Sequence, residues 1–88
     1  MASSKSVIKH ENSVVIVATE NGEYVKGDSF WPVVTERIMD AVRHATMSDA
    51  KKYIKTASKR LNPKQKLHAV NCIAAYDDNF NLVEVRKE

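Results

Sequence analysis

Residues 46–63 read T-M-S-D-A-K-K-Y-I-K-T-A-S-K-R-L-N-P, and the way this stretch is read decides the fold class. Thr46 and Ser48 are both competent helix N-caps, and Asp49 stands three residues after Thr46, the capping-box spacing, with its carboxylate near the positive end of a helix. Ala50, Tyr53, Ile54, Ala57 and Leu61 then recur three and four residues apart, so they line one flank of a helix and mark it as packed on a core. Asn62-Pro63 ends the run, because the residue before proline is disfavoured in the helical region and Pro63 has no N–H to continue the ladder. The expectation is an amphipathic helix from Thr46 to Leu61.

The same stretch is strongly cationic. Lys51, Lys52, Lys55, Lys59, Arg60, Lys64 and Lys66 follow one another without an intervening Asp or Glu. Seven of the fourteen bases therefore lie in sixteen residues, and the other seven face all eleven acids, which makes the molecule electrically two-sided although its net charge is only +3. Lys51, Lys55 and Lys59 are spaced by four and stack on one side of the helix, with Lys52 and Arg60 flanking them.

Around the helix the pattern changes to strands. Ser13–Thr19, S-V-V-I-V-A-T, is rich in β-branched residues and reads as a central strand. Asn21-Gly22 follows, a pair that suits a two-residue type I′ hairpin turn, and Tyr24-Val25-Lys26 should pair back before Gly27-Asp28. His68–Tyr76 and Phe80–Val85, separated by the turn-forming Asp77-Asp78-Asn79, read as a C-terminal hairpin. The segment 33–45 admits two readings: Val34, Ile38, Val42 and Ala45 recur at helical spacing, which periodicity slightly favours, while a strand over 38–45 would lead directly into the helix. The expected architecture is an α+β domain over residues 7–88, an antiparallel sheet of four or five strands with one main helix on one face, preceded by a loose tail at 1–6.

Composition narrows the function classes. Eighty-eight residues support one modest core and leave little room for a large enclosed active site. Cys72 is the only cysteine, which rules out an internal disulfide and a cysteine-built zinc site and is consistent with a reducing cytoplasm; set within an apolar run, it reads as a small core residue. The N-terminal residues show no signal-peptide pattern, and the longest apolar run, Val14–Ala18, is too short to span a bilayer. His10, His44 and His68 lack metal-ligand spacing, and two glycines, Gly22 and Gly27, are too few for a phosphate-cradling loop. Asp40, His44 and Ser48 contain the residue types of a catalytic triad, but no strained nucleophile turn surrounds Ser48. No cofactor, metal or small-molecule substrate is called for, and the chain reads as a non-enzyme.

Two features remain that could serve a partner. The basic helix, with Lys51, Lys52, Lys55, Lys59, Arg60 and Lys64, is a solvated face, a docking face for an acidic protein, or a contact for a nucleic-acid backbone. A second copy of the chain, offering Asp77, Asp78 and Glu84, is one such acidic protein and would make a homodimer. Trp31, in Phe30-Trp31-Pro32, is a candidate aromatic anchor, although the sole Trp of a small domain is more commonly packed against its helix with its N–H on a carbonyl.

The order of these features carries a resemblance. Asn21-Gly22-Glu23-Tyr24-Val25, then Trp31, then D-A-V-R-H-A-T-M-S-D-A at 40–50, resembles small accessory proteins of phages and prophages of Gram-positive bacteria. In those, a hairpin with Tyr, a Trp and an A-x-x-[aromatic]-x-[ST]-x-x-[DE]-A lead-in precede a basic helix. Ala41, Thr46, Asp49 and Ala50 fit that lead-in, and His44 stands at its aromatic position. The resemblance implies that Ala41–Ala45 is a strand feeding the helix, and that the activity is binding to host or phage proteins. The expected function is a cytoplasmic protein-interaction module acting through the basic helix, the Trp31 region or a sheet edge. The alternative is a nucleic-acid-binding protein whose contacts are Lys51, Lys55, Lys59, Arg60 and Lys64.

Overall fold

The computed structural model describes residues 8–61 and 64–88. The tail at 1–6 and the Asn62-Pro63 stop lie outside the described residues. Five strands, β1 (His10–Thr19), β2 (Tyr24–Lys26), β3 (Val33–Thr35), β4 (Leu67–Tyr76) and β5 (Leu82–Lys87), form one antiparallel sheet in the order β3-β2-β1-β4-β5. One helix, α1 (Met47–Arg60), packs on the sheet over β1 and β4, so the α+β layer arrangement read from the sequence is the one the chain adopts.

The helix forms where its signals lie. The Thr46 hydroxyl accepts a 3.1 Å hydrogen bond from the Asp49 N–H, satisfying one of the first-turn donors that the helix itself leaves without a partner. At the other end Leu61 turns extended, and its N–H still reaches the Ala57 carbonyl at 3.0 Å. Ala50, Tyr53 and Ala57 are the buried positions, and with Val15, Val17 and Val25 they make the core between helix and sheet.

β1 explains why the run 14–18 is continuously apolar. Odd residues Val15 and Val17 point to the helix, whereas Ile16 points to the opposite face, where it joins Cys72, Ala74 and Val85. A strand buried on both faces cannot alternate apolar with polar. The sheet is curled, so this second face is concave; the Lys87 ammonium on β5 lies 5.6 Å from the Tyr24 ring centroid on β2, across the two strands between them. Cys72 is buried here, as its apolar neighbourhood implied.

The plug of the concave face comes from the segment that was ambiguous in sequence, and neither sequence reading of 33–45 survives. Val33–Thr35 is an edge strand, Ile38–Asp40 is a single 3-10 turn, and the chain is extended at Ala41. Ile38, Met39 and Ala41 fill the concave face, whereas Val42 packs on the helix side. The helical spacing of Ile38 and Val42 therefore joins residues that serve two different cores. Between those cores the chain crosses at the sheet: Val42 N–H donates to the Val25 carbonyl at 3.2 Å, and His44 exchanges hydrogen bonds of 2.7 and 2.8 Å with Val15. The strand implied for 41–45 is thus reduced to one bridge, at His44.

The two hairpin loops share one design, which also differs from the expected type I′ turn. Thr19 N–H donates to Glu23 O at 2.9 Å and Gly22 N–H to Thr19 O at 3.2 Å, giving a three-residue loop with Gly22 in the left-handed region at φ 82°. The Thr19 hydroxyl also accepts from the N–H groups of Asn21 and Glu23, both at 3.2 Å. Asp77, Phe80 and Asn81 repeat the pattern: Asp77 N–H donates to Asn81 O and Phe80 N–H to Asp77 O, each at 3.0 Å, and the Asp77 carboxylate accepts from the N–H groups of Asn79 and Asn81. The bonds from Asn81 first, then Asn79, hold that carboxyl below its usual range.

Where the first loop has glycine, the second has Phe80, at φ 61°. Phe80 consequently leaves the strand predicted for 80–85, which begins instead at Leu82, and its exposed ring stacks on His10 at 4.3 Å between centroids. A left-handed conformation costs a bulky residue about 1–2 kcal/mol, more than an exposed stack of this kind returns. Phe80→Gly is therefore expected to stabilise the fold by about 0.5–1 kcal/mol, read as a rise of a few degrees in Tm. A fall in Tm would show that the stack outweighs the strain.

Candidate functional site

Helical residues advance by about 100° each, so with Ala50, Ala57 and Leu61 on the sheet side, Lys51, Lys55, Lys59 and Lys52 project together over the solvent side. All four are exposed, and among the described residues none has a carboxylate within ion-pair distance. The ion pairs that do form lie elsewhere: Arg37 with Asp40 at 3.6 Å, and Arg86 with Glu84 and Glu11 at 2.9 and 3.0 Å. Lys64 is also exposed, beyond the end of the helix.

Arg60 departs from the stripe. It lies on the opposite flank of the helix, its guanidinium carbon 5.2 Å from the centroid of the Phe30 ring, a cation–π contact. The basic face is thus four lysines, and Arg60 belongs to an aromatic patch on the 27–32 loop.

That loop is tightly built. Asp28 accepts from Phe30 N–H through its carboxylate and from Trp31 N–H through its carbonyl, both at 2.9 Å. Gly27 has φ 87°, and a Cβ there would stand 2.9 Å from the Trp31 carbonyl oxygen, so only glycine fits. The Tyr53 hydroxyl donates to the Gly27 carbonyl at 2.8 Å and ties the loop to α1; burial first and then the Asp28 charge push its pKa up to about 12.

This arrangement reverses the packing expected for tryptophan. Trp31 is 77% exposed, and Phe30 and Val33 beside it are exposed as well. The indole was expected to pack against the helix with its N–H on a carbonyl; instead it is Tyr53 of α1 whose hydroxyl reaches a carbonyl of this loop. Pro32, Val33, Arg60 and Leu61, with Glu23 and Gln65, border a shallow depression of about 520 Å³ here. A second depression, of about 660 Å³, runs along the lysines between Met47, Lys51, Ile54 and Lys55. Apolar stems and ammonium groups thus alternate along one helix flank.

The residue types considered for catalysis do not converge. Asp40 pairs with Arg37, and Ser48 is an exposed first-turn residue of α1 that makes no hydrogen bond to His44. The His44 ring packs on Tyr53, its Nε2 is buried without a hydrogen-bond partner, and burial lowers its pKa against a smaller raising influence from Asp49. Burial raises the Cys72 thiol, which keeps it a thiol rather than a thiolate nucleophile. Among the described residues no three or more His, Cys, Asp or Glu side chains gather around a common point. No helix among them is long and apolar enough to cross a membrane.

The acids proposed to meet the lysines from a second copy are mostly committed within the chain. Glu84 holds Arg86 and Asp77 holds its own loop, which leaves Asp78. The Phe30–Arg60 contact and the Phe80–His10 stack were not anticipated from the sequence. The second had a trace in it, because T-E-N-G-E at 19–23 and D-D-N-F-N at 77–81 place Asn before the left-handed residue in both loops. No family model, curated protein or solved structure matches the chain.

Proposed function

We propose that this chain is a non-enzymatic protein-interaction module of the cytoplasm that docks an acidic partner on the outer side of α1 and anchors it on Trp31. The observation that carries the reading is the row of Lys51, Lys52, Lys55 and Lys59, exposed and without a carboxylate among the described residues. Like charges at four-residue spacing repel one another in an isolated helix, and an acidic surface relieves that repulsion. Trp31, Phe30 and Arg60 add residue types that dominate binding hot spots, held on a loop that needs little ordering. The resemblance of the sequence layout to phage accessory proteins supports a phage-encoded, host-modulating factor as the biological setting of this proposal.

A second reading, nucleic-acid binding, is favoured by the same lysines together with exposed rings that can stack on bases. One experiment separates the two. Photo-cross-linkers placed at positions 55 and 31 in turn, in lysate of the source cell, are expected to capture the same protein. Labelled random DNA and RNA at about 50 and 200 mM salt report the alternative. A shared protein adduct with no nucleic-acid shift at low salt supports the first reading. A shift that falls by orders of magnitude between the two salts, without a protein adduct, overturns it in favour of the second.

A further inference from the structure

We infer that β1 pairs with β1 of a second copy along a short open edge centred on Asn12, joining two sheets into one. This proposal does not involve the lysine face. Strand residues alternate the side to which their backbone groups point, and the parity of β1 is set by Val15, whose N–H and C=O both bond His44, and by Thr19, whose N–H bonds Glu23. Glu11 and Ser13 therefore turn their N–H and C=O away from β4. Among the described residues, no backbone group reaches them, since β2 meets β1 only at Ala18.

The open window has two fixed ends. Toward the C-terminus Val15 is occupied by His44. Toward the N-terminus Lys9 turns its N–H inward, to the Tyr76 carbonyl at 2.8 Å. Four backbone groups remain, two on Glu11 and two on Ser13, placed symmetrically about Asn12. His10–Ser13 are all exposed although they lie in the longest ladder of the sheet.

Symmetry then selects the register. With a two-fold axis at Asn12, Glu11 faces Ser13 of the second copy and Ser13 faces its Glu11, so all four groups on each chain are satisfied. Centring on Glu11 would oppose two carboxylates, and centring on Ser13 would require Val15, which is taken. The side chains are compatible with the same register: the Glu11 carboxylate is neutralised by Arg86 at 3.0 Å and the Ser13 hydroxyl donates to Glu88 at 3.5 Å within each chain, so no like charges are left opposed, and the two Asn12 amides, each donor and acceptor, meet at the axis. The other edges are less suited to pairing, because β3 has three residues and β5 carries Glu84, Arg86 and Lys87. The interface is small, so the expected Kd is weak, on the order of 0.1 mM.

The test is sedimentation of the full chain up to about 1 mM, the range in which so small an interface assembles. The wild type should move toward twice the 9.9 kDa mass as concentration rises. Asn12→Lys and Asn12→Glu each place like charges at the axis and should weaken the dimer about fivefold or more, whereas their equimolar mixture should restore it. Ser13→Pro, which removes an outward N–H and no ladder bond, should also yield monomer with an unchanged circular dichroism spectrum. A wild type that stays at one-chain mass throughout, a dimer indifferent to both charges, or a mixture that fails to restore assembly overturns the proposal.

Discussion

Replacing Lys51, Lys55 and Lys59 together by Glu is expected to abolish partner binding, with affinity falling at least about 100-fold, while the domain stays folded. Three cation–carboxylate contacts at about 0.2–1 kcal/mol each become three repulsions, and a swing of about 3 kcal/mol corresponds to that factor. The fold should not notice, because among the described residues these ammonium groups hold no internal carboxylate. Lys52 can pair with the new carboxylate at position 55, three residues on, which offsets part of the repulsion among the three carboxylates. Affinity is measured by titration against the partner captured at positions 55 and 31. A variant that binds as the wild type does would move the docking surface away from α1.

Ala57→Asp is expected to unfold the domain. Ala57 is 0% exposed and packs against the sheet core of Val15, Val17 and Val25, where nothing of opposite charge awaits a carboxylate. A buried charge without a partner costs at least about 4 kcal/mol, comparable to much of the 5–15 kcal/mol that holds a typical domain together. Ser58→Asp is the control: Ser58 is half-buried, toward the solvent flank, and should cost less than about 1 kcal/mol. Thermal unfolding followed by circular dichroism reads both variants. Equal losses would mean that the helix is rotated from the seating described above, and the lysines with it.

The helix was legible because each of its signals is local. Cap, stripe and stop lie within a few residues of one another, and Thr46, Ala50, Tyr53, Ala57 and Leu61 take the places their spacing assigns. The central strand was legible for the same reason, although β1 starts three residues earlier, at His10, where pairing with β4 outweighs the polar character of His-Glu-Asn. What stayed hidden depends on neighbours distant in sequence. Residues 33–45 look periodic, yet Ile38 and Val42 fill opposite faces of a curled sheet, and periodicity cannot distinguish one stripe from two.

The candidate site divides along the same line. Four lysines could be placed outward from the helix alone. Trp31 could not, because its exposure depends on how the 27–32 loop is packed, whereas Arg60 follows from spacing, since at about 100° per residue it falls on the flank away from Lys51 and Lys55, where it meets Phe30. Phe80 is the remaining case: Asp77 directs the loop, and the left-handed position falls on a residue that composition would assign to a strand.

All of the functional reading requires that the lysine row contributes nothing to holding its own chain together. Urea unfolding of the wild type and of the Lys51, Lys55, Lys59→Glu variant at low salt measures this. The expected result is a variant within about 1 kcal/mol of the wild type, because three carboxylates at four-residue spacing repel one another about as three ammonium groups do. A variant less stable by more than about 1 kcal/mol would mean that these ammonium groups are neutralised within the molecule, and that the face is not available to a partner.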